Sequence, residues 1–382
     1  MKALLFERKE ARFAAARVAS VLAGPGRGVR VGPLRIADVD EPELPGPDWV
    51  RVRPRLAGIC GSDLATIDAR SSRYFEPIVS FPFVPGHEVV GELDDGTRVV
   101  VQPTLTCAAR GIEPACEQCV NGVTNLCERT AFGHLEPGLQ TGYCESTGGG
   151  WGTALVAHES QLHRVPDGMT DEQAVMVEPA ACAVHAASLI PGGDTVVIGA
   201  GTLGLLTIAA LRHVEEIGGT IIATAKYEEQ RRWAKELGAD VVVEPDALER
   251  AVRAGSHSMR IGGQLTSGVE LVIDCVGSEA SLRQALQVVK PGCDVVVVGM
   301  PGTTTLDLTP LWHREVVLRG SYAYDRQDFA LAFELVSKLD LGRLVSATYT
   351  LDQYNEAIQH AAEAGRRGAV KIAFDLRNER NR

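Results

Sequence analysis

The chain has 382 residues, of which 45% are hydrophobic and 23% are charged, and its formal net charge is −11. This composition is that of an ordinary globular protein, and the length exceeds what one hydrophobic core usually spans, so we expect two domains. The acidic balance disfavours nucleic acid or an anionic membrane surface as a partner, and no apolar run approaches the ~20 residues that cross a bilayer.

The first residues and the cysteines together indicate a reducing compartment. The N-terminal ten residues lack the apolar stretch and the cleavage site of a signal peptide, so we expect a cytoplasmic protein. Nine cysteines at uneven spacing, without a secretion signal, indicate metal ligands and buried thiols rather than disulfides.

The first third of the chain predicts mainly β structure. Residues 49–56 have a strand-like pattern, and residues 89–93 and 97–101 are short apolar runs, with glycine and proline between them. Residues 13–16 suit the start of a short helix, which the Gly-Pro-Gly sequence at 24–26 would break.

Two groups of metal-binding side chains lie in the first half. Cys60 opens the sequence Cys-Gly-Ser-Asp, His87 and Glu88 lie in Gly-His-Glu-Val-Val-Gly, and Glu178 follows later. One thiolate, one imidazole and one carboxylate hold zinc at three positions and leave the fourth open for chemistry. Four thiolates instead close a metal off and make it structural. The second group consists of Cys107, Cys116, Cys119 and Cys127.

Strands and helices alternate after residue 170, where Thr170 and Gln173 predict a helix-capping box. Near-continuous Val/Ile runs between helices predict a parallel sheet covered on both faces. The predicted strands are residues 195–199, 220–224, 241–243, 270–275, 295–298 and 316–318, and the predicted helices are 203–214, 228–237 and 279–289, the last ended by Pro291-Gly292. The tail predicts helices at 326–338 and 352–364, and a strand at 370–374 that returns to the first domain.

A glycine-rich motif of the form G-x-G-x-x-G follows the first of these strands and opens the next helix, which is the context that predicts dinucleotide binding. The first glycine permits a tight turn, the second lets the backbone approach a pyrophosphate, and the third lets helix and strand pack closely. The motif consists of Gly199, Ala200, Gly201, Thr202, Leu203 and Gly204.

The residues after the next predicted strand, 220–224, help to distinguish NAD(H) from NADP(H) as the cofactor. NAD-binding folds usually place Asp or Glu about 20 residues beyond the glycines, and no carboxylate stands at that strand end here. Lys226 and Arg231 are instead placed to meet a 2′-phosphate, although Glu228 and Glu229 dilute their positive field. The sequence therefore favours NADP(H) over NAD(H).

Taken together, these motifs resemble the zinc-dependent alcohol dehydrogenases of the medium-chain dehydrogenase/reductase family, from Cys60 to Val370-Lys371-Ile372. The resemblance implies an α/β fold, with an N-terminal β-rich GroES-like catalytic domain and a doubly wound parallel-sheet Rossmann domain. We expect residues 1–185 and about 325–382 to form the catalytic domain and residues 186–324 to form the dinucleotide-binding domain.

The resemblance also implies ligands for a catalytic zinc. In that family the cysteine and the histidine of the two frames bind the metal, and a third ligand comes from just before the nucleotide domain, which here implies Cys60, His87 and Glu178. Cys182 and His185, on the same predicted helix as Glu178, are rival candidates.

Further roles follow from the same resemblance. Glu88 matches a glutamate that moves onto the metal in some relatives. Ser62 holds the family's hydroxyl position that takes the substrate proton, and we expect Asp63 to accept from the second ring nitrogen of the ligand histidine. Many relatives continue the relay with a histidine three residues after the hydroxyl, where this chain has Ala65. The proton must then leave by water, by the cofactor ribose, or by another side chain such as Thr66.

The family's structural zinc lobe usually spaces its cysteines as Cys-x2-Cys-x2-Cys-x7-Cys. This chain keeps the last two intervals but separates Cys107 from Cys116 by eight residues. We predict four-coordinate zinc at Cys107, Cys116, Cys119 and Cys127. The alternative is a three-cysteine remnant without metal.

The function predicted from the resemblance is hydride transfer between a nicotinamide cofactor and an alcohol, aldehyde or ketone, with zinc as the Lewis acid. The alternatives are a polyol or sugar dehydrogenase of the same family and a non-catalytic NADPH-binding protein. The family also implies a homodimer or homotetramer, and residues 295–298 are a candidate strand for extending a sheet between chains. Candidates for an apolar substrate pocket are Tyr74, Phe75, Phe81, Phe83 and Trp151.

Overall fold

The computed structural model describes residues 1–300 and 302–379. Two compact units are formed, one by Met1–Glu178 together with the described residues from Val336 onward, and the other by Pro179–Leu335. Of the helices in the described residues, none is long and apolar enough to cross a membrane.

The strands, numbered along the chain, are β1 (Lys2–Phe6), β2 (Leu34–Asp38), β3 (Trp49–Gly58), β4 (Val89–Glu92), β5 (Arg98–Val101), β6 (Leu155–His158), β7 (Leu162–Arg164), β8 (Thr195–Ile198), β9 (Ile221–Thr224), β10 (Val241–Val243), β11 (Arg260–Ile261), β12 (Gln264–Leu265), β13 (Val269–Asp274), β14 (Val289–Val297), β15 (Val317–Gly320), β16 (Val345–Tyr349) and β17 (Lys371–Asp375).

The α-helices are α1 (Glu10–Ala23), α2 (Gly61–Ile67), α3 (Glu117–Val120), α4 (Asp171–Ala174), α5 (Val177–Ser188), α6 (Thr202–His213), α7 (Glu228–Glu236), α8 (Leu248–Ser256), α9 (Glu279–Val288), α10 (Thr309–His313), α11 (Arg326–Lys338) and α12 (Tyr354–Ala362). Short 3₁₀ turns lie at Arg27–Arg30, Arg73–Ile78, Thr124–Leu126, Glu159–Gln161, Pro245–Ala247, Leu341–Leu344, Leu351–Gln353 and Ala364–Arg367.

The larger sheet of the first unit has seven strands, in the order β16-β17-β3-β4-β5-β7, with β6 paired to β3. Strand β17 runs antiparallel to β3 and places Ala373 opposite Gly58. The tail strand therefore joins the sheet of the N-terminal segment, as expected. The core beneath it is built from large apolar side chains such as Phe83, Trp151 and Phe374.

The second unit is built on six parallel strands in the order β10-β9-β8-β13-β14-β15. All four residues of β8 and all four of β9 are buried, which explains their unbroken apolar sequences. The predicted parallel α/β sheet is confirmed, and so is the capping box, in which Thr170 and Gln173 each bond the other's backbone N–H.

Two predictions about helices need correction. Helix α1 is a full 14 residues and ends before Gly24, whose φ is 103°, rather than a short helix from residue 13. Helix α9 ends at Val288, and Pro291-Gly292 lie inside β14 and do not end it. A register irregularity between β13 and β14 lets these residues bulge out of the ladder, which accommodates the proline.

The strand proposed for joining two chains is also corrected. Strand β14 is paired on both sides, by β13 and by β15, so its backbone groups are already used. At this end of the sheet the edge strand is β15, whose four residues are all exposed.

Candidate functional site

The Cys-Gly-Ser-Asp sequence forms the start of a helix. Cys60 is the N-cap of α2, and the Asp63 carboxylate Oδ2 accepts a hydrogen bond of 2.9 Å from the Cys60 backbone N–H. This capping bond satisfies an amide that the helix leaves unpaired. The cysteine thiol is thereby fixed at the end of strand β3, at the point where the chain turns into the helix.

The other oxygen of Asp63 faces His87. Asp63 Oδ1 lies 3.4 Å from His87 Nδ1, and both side chains are buried. Tyr143 donates its hydroxyl to the same oxygen at 3.3 Å. Burial lowers the pKa of His87, but the Asp63 carboxylate and Cys60 together raise it more, so that the pKa stands well above its ordinary value. The negative charge of Asp63 favours a cation on the imidazole, and the orienting role of Asp63 stays a prediction.

The structure gathers Cys60, His87 and Glu88 into one cluster, with their ligand atoms all within 4.8 Å of one another. One thiol, one imidazole and one carboxylate at these separations fit a zinc ion with an open position. Cys60 is half-buried, whereas His87 and Glu88 are buried. The site therefore combines a shielded interior with one side open to small molecules.

A buried lysine stands behind Glu88. Lys371, on strand β17, is only 3% exposed, forms an ion pair with Glu88 and donates to the Ile59 carbonyl at 3.2 Å. Burial lowers the pKa of Lys371, but the charges of Glu88, Cys60 and Glu178 raise it more, so the net shift is upward. Lys371 thus supplies a cation that balances the carboxylates of the site.

The residue beside the Glu88 carboxylate on strand β3 is a glycine, Gly58. A side chain added at Gly58 would place its Cβ 1.9 Å from Glu88 Oε2. The glycine at the end of strand β3 therefore leaves room for the carboxylate.

Glu178 is buried at the start of α5 but is not part of the cluster formed by the Cys60, His87 and Glu88 ligand atoms. Its charge acts on Lys371, so the two belong to the same buried ionic group. The assignment of Glu178 as third ligand stays a prediction. Of the rivals on α5, His185 is paired with Asp328 at 2.8 Å.

Ser62, the predicted acceptor of the substrate proton, is half-buried. Ala65, which replaces the relay histidine, is buried and offers no polar atom. The Thr66 hydroxyl bonds the Ser62 carbonyl oxygen and the Ser71 hydroxyl, and lies 3.3 Å from the Tyr143 hydroxyl. Thr66 is therefore bonded to the backbone of Ser62 and not to its hydroxyl, which leaves water or the cofactor as the simpler outlet.

The four lobe cysteines also come together, with every Sγ within 4.8 Å of the others. The Cys107 and Cys127 sulfurs are 3.7 Å apart, and the Cys116 and Cys127 sulfurs 4.0 Å. A tetrahedral zinc with Zn–S bonds of about 2.3 Å has sulfur–sulfur edges of about 3.8 Å. The longer interval before Cys116 therefore folds back, and the donor set fits a closed zinc site.

The glycine motif has the geometry that a dinucleotide needs. Gly199 has a φ of 91°, and a Cβ on Gly204 would lie 1.9 Å from the Gly199 carbonyl oxygen. A Cβ on Gly201 would meet nothing within 4 Å, so open space remains where a ligand would approach. Thr202 and Leu203 begin α6, whose first amides suit phosphate binding.

Arg231 and Lys226, the two candidates for binding a 2′-phosphate, differ in their contacts within the protein. The Arg231 guanidinium donates to the carbonyl oxygens of Ala225 and Lys226 and pairs with Glu244 at 3.4 Å. Lys226 itself is exposed. Lys226 is thus the better placed of the two to bind a ligand, whereas Arg231 stabilises the backbone at Ala225 and Lys226.

The aromatic residues proposed for an apolar pocket are mostly placed elsewhere. Trp151 is fully buried and Phe83 is 2% exposed, so both belong to the core. Tyr74 is 78% exposed. Phe81 packs against Phe83 with ring centroids 5.3 Å apart.

Sequence reasoning missed two residues of the site. Lys371 is the first residue of strand β17, between the apolar residues Val370 and Ile372, and a lysine in such an apolar sequence signals a buried charge that requires a partner. Tyr143 carries no such signal, because it lies between glycine and cysteine in an irregular segment.

Two family models match the chain, the alcohol dehydrogenase GroES-like domain at residues 46–167 and the zinc-binding dehydrogenase at residues 202–338. An L-idonate 5-dehydrogenase of Vitis vinifera is 29% identical over 90% of this chain and 92% of its own length. A sorbitol dehydrogenase of Arabidopsis thaliana is also 29% identical, over 87% of this chain and 89% of its own length. The structure of a putative zinc-binding dehydrogenase from Sinorhizobium meliloti, bound to NADP, aligns with a TM-score of 0.71 and 25% identity over 90% of this chain and 96% of that chain.

Proposed function

Because the chain belongs to the zinc-dependent alcohol dehydrogenases of the medium-chain dehydrogenase/reductase family, and is thus a hydride-transferring oxidoreductase, we propose that it is an NADP(H)-linked polyol or sugar dehydrogenase. The observation that carries this proposal is the cluster of Cys60, His87 and Glu88 with Asp63 and Lys371 behind it. A non-catalytic nucleotide-binding protein has no need for such a set.

The residues of the cluster have separate tasks in this proposal. Cys60, His87 and Glu178 are proposed to hold the zinc, with Glu88 kept beside them by Lys371. When bound, zinc supplies Lewis-acid stabilisation of charge on the substrate oxygen, and the nicotinamide takes or gives the hydride. Asp63 orients His87, and the Ser62 hydroxyl takes the proton of the substrate hydroxyl while its own proton passes to water or to the cofactor ribose.

The substrate class is proposed from two observations. Relatives that match nearly the whole chain are named for sorbitol and L-idonate, which carry many hydroxyl groups. Of the five aromatic residues expected to form an apolar wall, Phe83 and Trp151 lie in the core and Tyr74 is 78% exposed. A polyhydroxylated substrate suits a site built from polar and charged groups better than an aryl or long aliphatic alcohol does.

A substrate panel tests this proposal. Cofactor absorbance at 340 nm is followed with polyols, sugar acids, aliphatic alcohols and aryl alcohols, each with NADP and NAD. We expect kcat/KM to be highest for a polyol or sugar acid. Preference for aryl or aliphatic alcohols would contradict the substrate class, and no turnover by zinc-loaded enzyme would contradict the activity.

Ser62→Ala tests the proton step within the same assay. Loss of a positioned proton acceptor is expected to slow oxidation by about 10²-fold or more, with zinc content unchanged. Normal turnover by this variant would show that the proton leaves without Ser62.

The NADP(H) preference is proposed from Lys226, which is exposed at a strand end without a carboxylate. Lys226→Ala is expected to raise the KM for NADP about tenfold and to leave that for NAD unchanged, because only NADP carries the 2′-phosphate. Lys235→Ala, on α7 where Lys235 bonds the Asp240 carbonyl, is the matched control. Equal effects on both cofactors would contradict the assignment.

We also propose a homodimer, joined through the edge of β15. Its strand residues Val317 and Leu318 are 44% and 40% exposed, and Trp312 in the preceding helix is 77% exposed. An uncovered apolar strand edge invites pairing with a second chain. Sedimentation of a Leu318→Lys variant is expected to show a smaller species than the native chain, and an unchanged mass would contradict this interface.

A further inference from the structure

The four-cysteine lobe contains a buried cation. Arg110 lies in the long interval between Cys107 and Cys116 and is 0% exposed. Its guanidinium donates to five backbone carbonyl oxygens, and in the described part of the chain it forms no ion pair with a carboxylate. The acceptors are the carbonyls of Leu105, Phe132, Leu135, Glu136 and Gly138.

The carbonyl oxygens satisfy the hydrogen bonds of Arg110 but do not balance its positive charge. Removing a full charge from water still costs several kcal/mol unless an opposite charge is near. Four neutral thiols would leave Arg110 uncompensated. Four thiolates around one divalent ion carry a net charge of about −2, which a neighbouring cation would partly balance.

Backbone hydrogen bonds join the turn that carries Arg110 to Cys107 and Cys116. Arg110 lies one helical turn after Cys107, and its backbone N–H donates to the Thr106 carbonyl. The Ile112 N–H in turn donates to the Cys107 carbonyl, and the Cys116 N–H donates to the Cys107 sulfur at 3.3 Å. Burial lowers the pKa of Arg110, and negative charge on the thiols of Cys144, Cys127 and Cys107 acts in the opposite direction, so two of the four lobe cysteines are within electrostatic reach of the guanidinium.

The acceptors of Arg110 also tie the lobe together. Four of the five carbonyls lie in residues 132–138, beyond the last ligand, Cys127. The side chain therefore joins the segment that carries the first ligand to the segment that follows the fourth. In a chain with two residues between the first cysteines, covalent spacing alone would keep the ligands close.

We infer that Arg110 is the countercharge of the four-cysteine metal centre and the residue that positions Cys107 for it. Arg110 is a positioning residue, because it acts through the thiolates and contacts no substrate. The inference does not depend on which alcohol the enzyme oxidises.

The test compares Arg110→Met, which removes the charge and every N–H donor, with Arg110→Lys, which keeps the charge and three donors. Both are made in the zinc-loaded full chain and again in a Cys60→Ala background, where the catalytic cluster lacks a ligand and the remaining zinc belongs to the lobe. Zinc release to a colorimetric chelator is followed over time, and zinc per chain is measured by mass spectrometry.

We expect Arg110→Met to release the lobe zinc at least about tenfold faster than the native chain, since the buried thiolates lose their cation. Arg110→Lys is expected to release it at least about threefold more slowly than Arg110→Met, because the charge remains. Equal rates for the two variants, or a native rate for Arg110→Met, would overturn the countercharge role. If Arg110→Met does not fold, Arg110→Lys decides alone: a retained lobe zinc supports the inference, and its loss overturns it.

Arg314 provides the matched control. It is also buried, and it donates to the backbone carbonyls of Leu286 and Val289 in the other unit. Arg314→Met is expected to destabilise the protein while changing lobe zinc release by less than about twofold. Release as fast as that of Arg110→Met would mean that any buried arginine has this effect, and the inference would fail.

Discussion

In the Cys60 cluster two of the three gathered residues, His87 and Glu88, have a partner of opposite charge behind them, whereas in the four-cysteine lobe the cysteines mainly face one another. Asp63 stands behind His87, and Lys371 stands behind Glu88. In the lobe the sulfurs lie close together, and the buried charge nearby is Arg110.

This difference corresponds to two kinds of metal site. Partners behind the ligands orient them and set their charge while leaving one coordination position open for a substrate. Four thiolates fill the coordination sphere, so the lobe can stabilise a fold but cannot bind a substrate oxygen. The two clusters should therefore respond differently to the same kind of change.

The largest contrast is expected from removing one ligand at each cluster. His87→Ala should lower turnover by at least about 10⁴-fold, because the Lewis acid is lost, while the fold is kept. Cys116→Ser should instead lower the melting temperature and leave the turnover of folded enzyme within about tenfold of native. Initial rates, zinc content and thermal unfolding measure both effects.

Two outcomes would break that contrast. A His87→Ala enzyme that keeps its turnover would remove the Cys60 cluster from the reaction. A Cys116→Ser enzyme that stays folded and yet loses turnover as completely would give the lobe a catalytic role.

The next effect concerns the buried ion pair of the open cluster. Lys371→Met leaves Glu88 as an uncompensated buried charge, which is expected to lower the free energy of unfolding by about 3 kcal/mol or more. The double variant Lys371→Met/Glu88→Gln should recover most of this loss, because neither charge remains. Urea unfolding of the four members of the cycle measures the coupling. Additive losses would show that Lys371 and Glu88 do not act as a pair.

Metal binding by the lobe should depend steeply on pH. Burial raises the pKa of Cys119, and burial together with Cys107 raises that of Cys127 to about 11, whereas hydrogen bonds to the lobe backbone and to Cys119 lower that of Cys116 to about 7. Between pH 8 and 9 the first two thiols are protonated without metal, and zinc must displace both protons. Apparent zinc affinity should then rise about 10²-fold per pH unit and fall correspondingly as the pH is lowered.

Proton release on zinc uptake by the metal-free Cys60→Ala chain measures this directly, with an indicator dye in weak buffer. Fewer than one proton per zinc in this pH range would show that the lobe thiols are already ionised without metal.

The sequence predicted what depends on local pattern. The Val/Ile runs of β8 and β9 predicted buried parallel strands, and the three glycines of the dinucleotide motif have the geometry that the motif requires. The candidate metal ligands Cys60 and His87 were recognisable because each lies in a distinctive sequence frame, and the structure brings them together.

Other features could not be read from the chain because they depend on distant contacts. The pairing of Lys371 with Glu88 arises only because β17 lies beside β3 in the sheet. The bulge that admits Pro291 into β14 depends on its pairing with β13. Sequence spacing also cannot tell whether Glu88 or Glu178 approaches Cys60, because that depends on side-chain geometry.

The smallest effect is expected from Asp63→Asn, which tests the contrast between the Cys60 cluster and the four-cysteine lobe most closely. The two carboxylate oxygens of Asp63 face two donors, the Cys60 N–H and the His87 ring. An amide has only one acceptor oxygen, so one of these contacts must be lost. Zinc affinity at the Cys60 cluster, measured by chelator competition, is expected to fall about 10- to 100-fold.

Tyr143→Phe is the matched control, because it removes one donor to the same carboxylate, and it should lower that zinc affinity by less than about threefold. Lobe zinc should be released at the native rate in both variants. Affinity unchanged by Asp63→Asn, or changed as much by Tyr143→Phe, would mean that Asp63 does not orient the ligands of the open cluster.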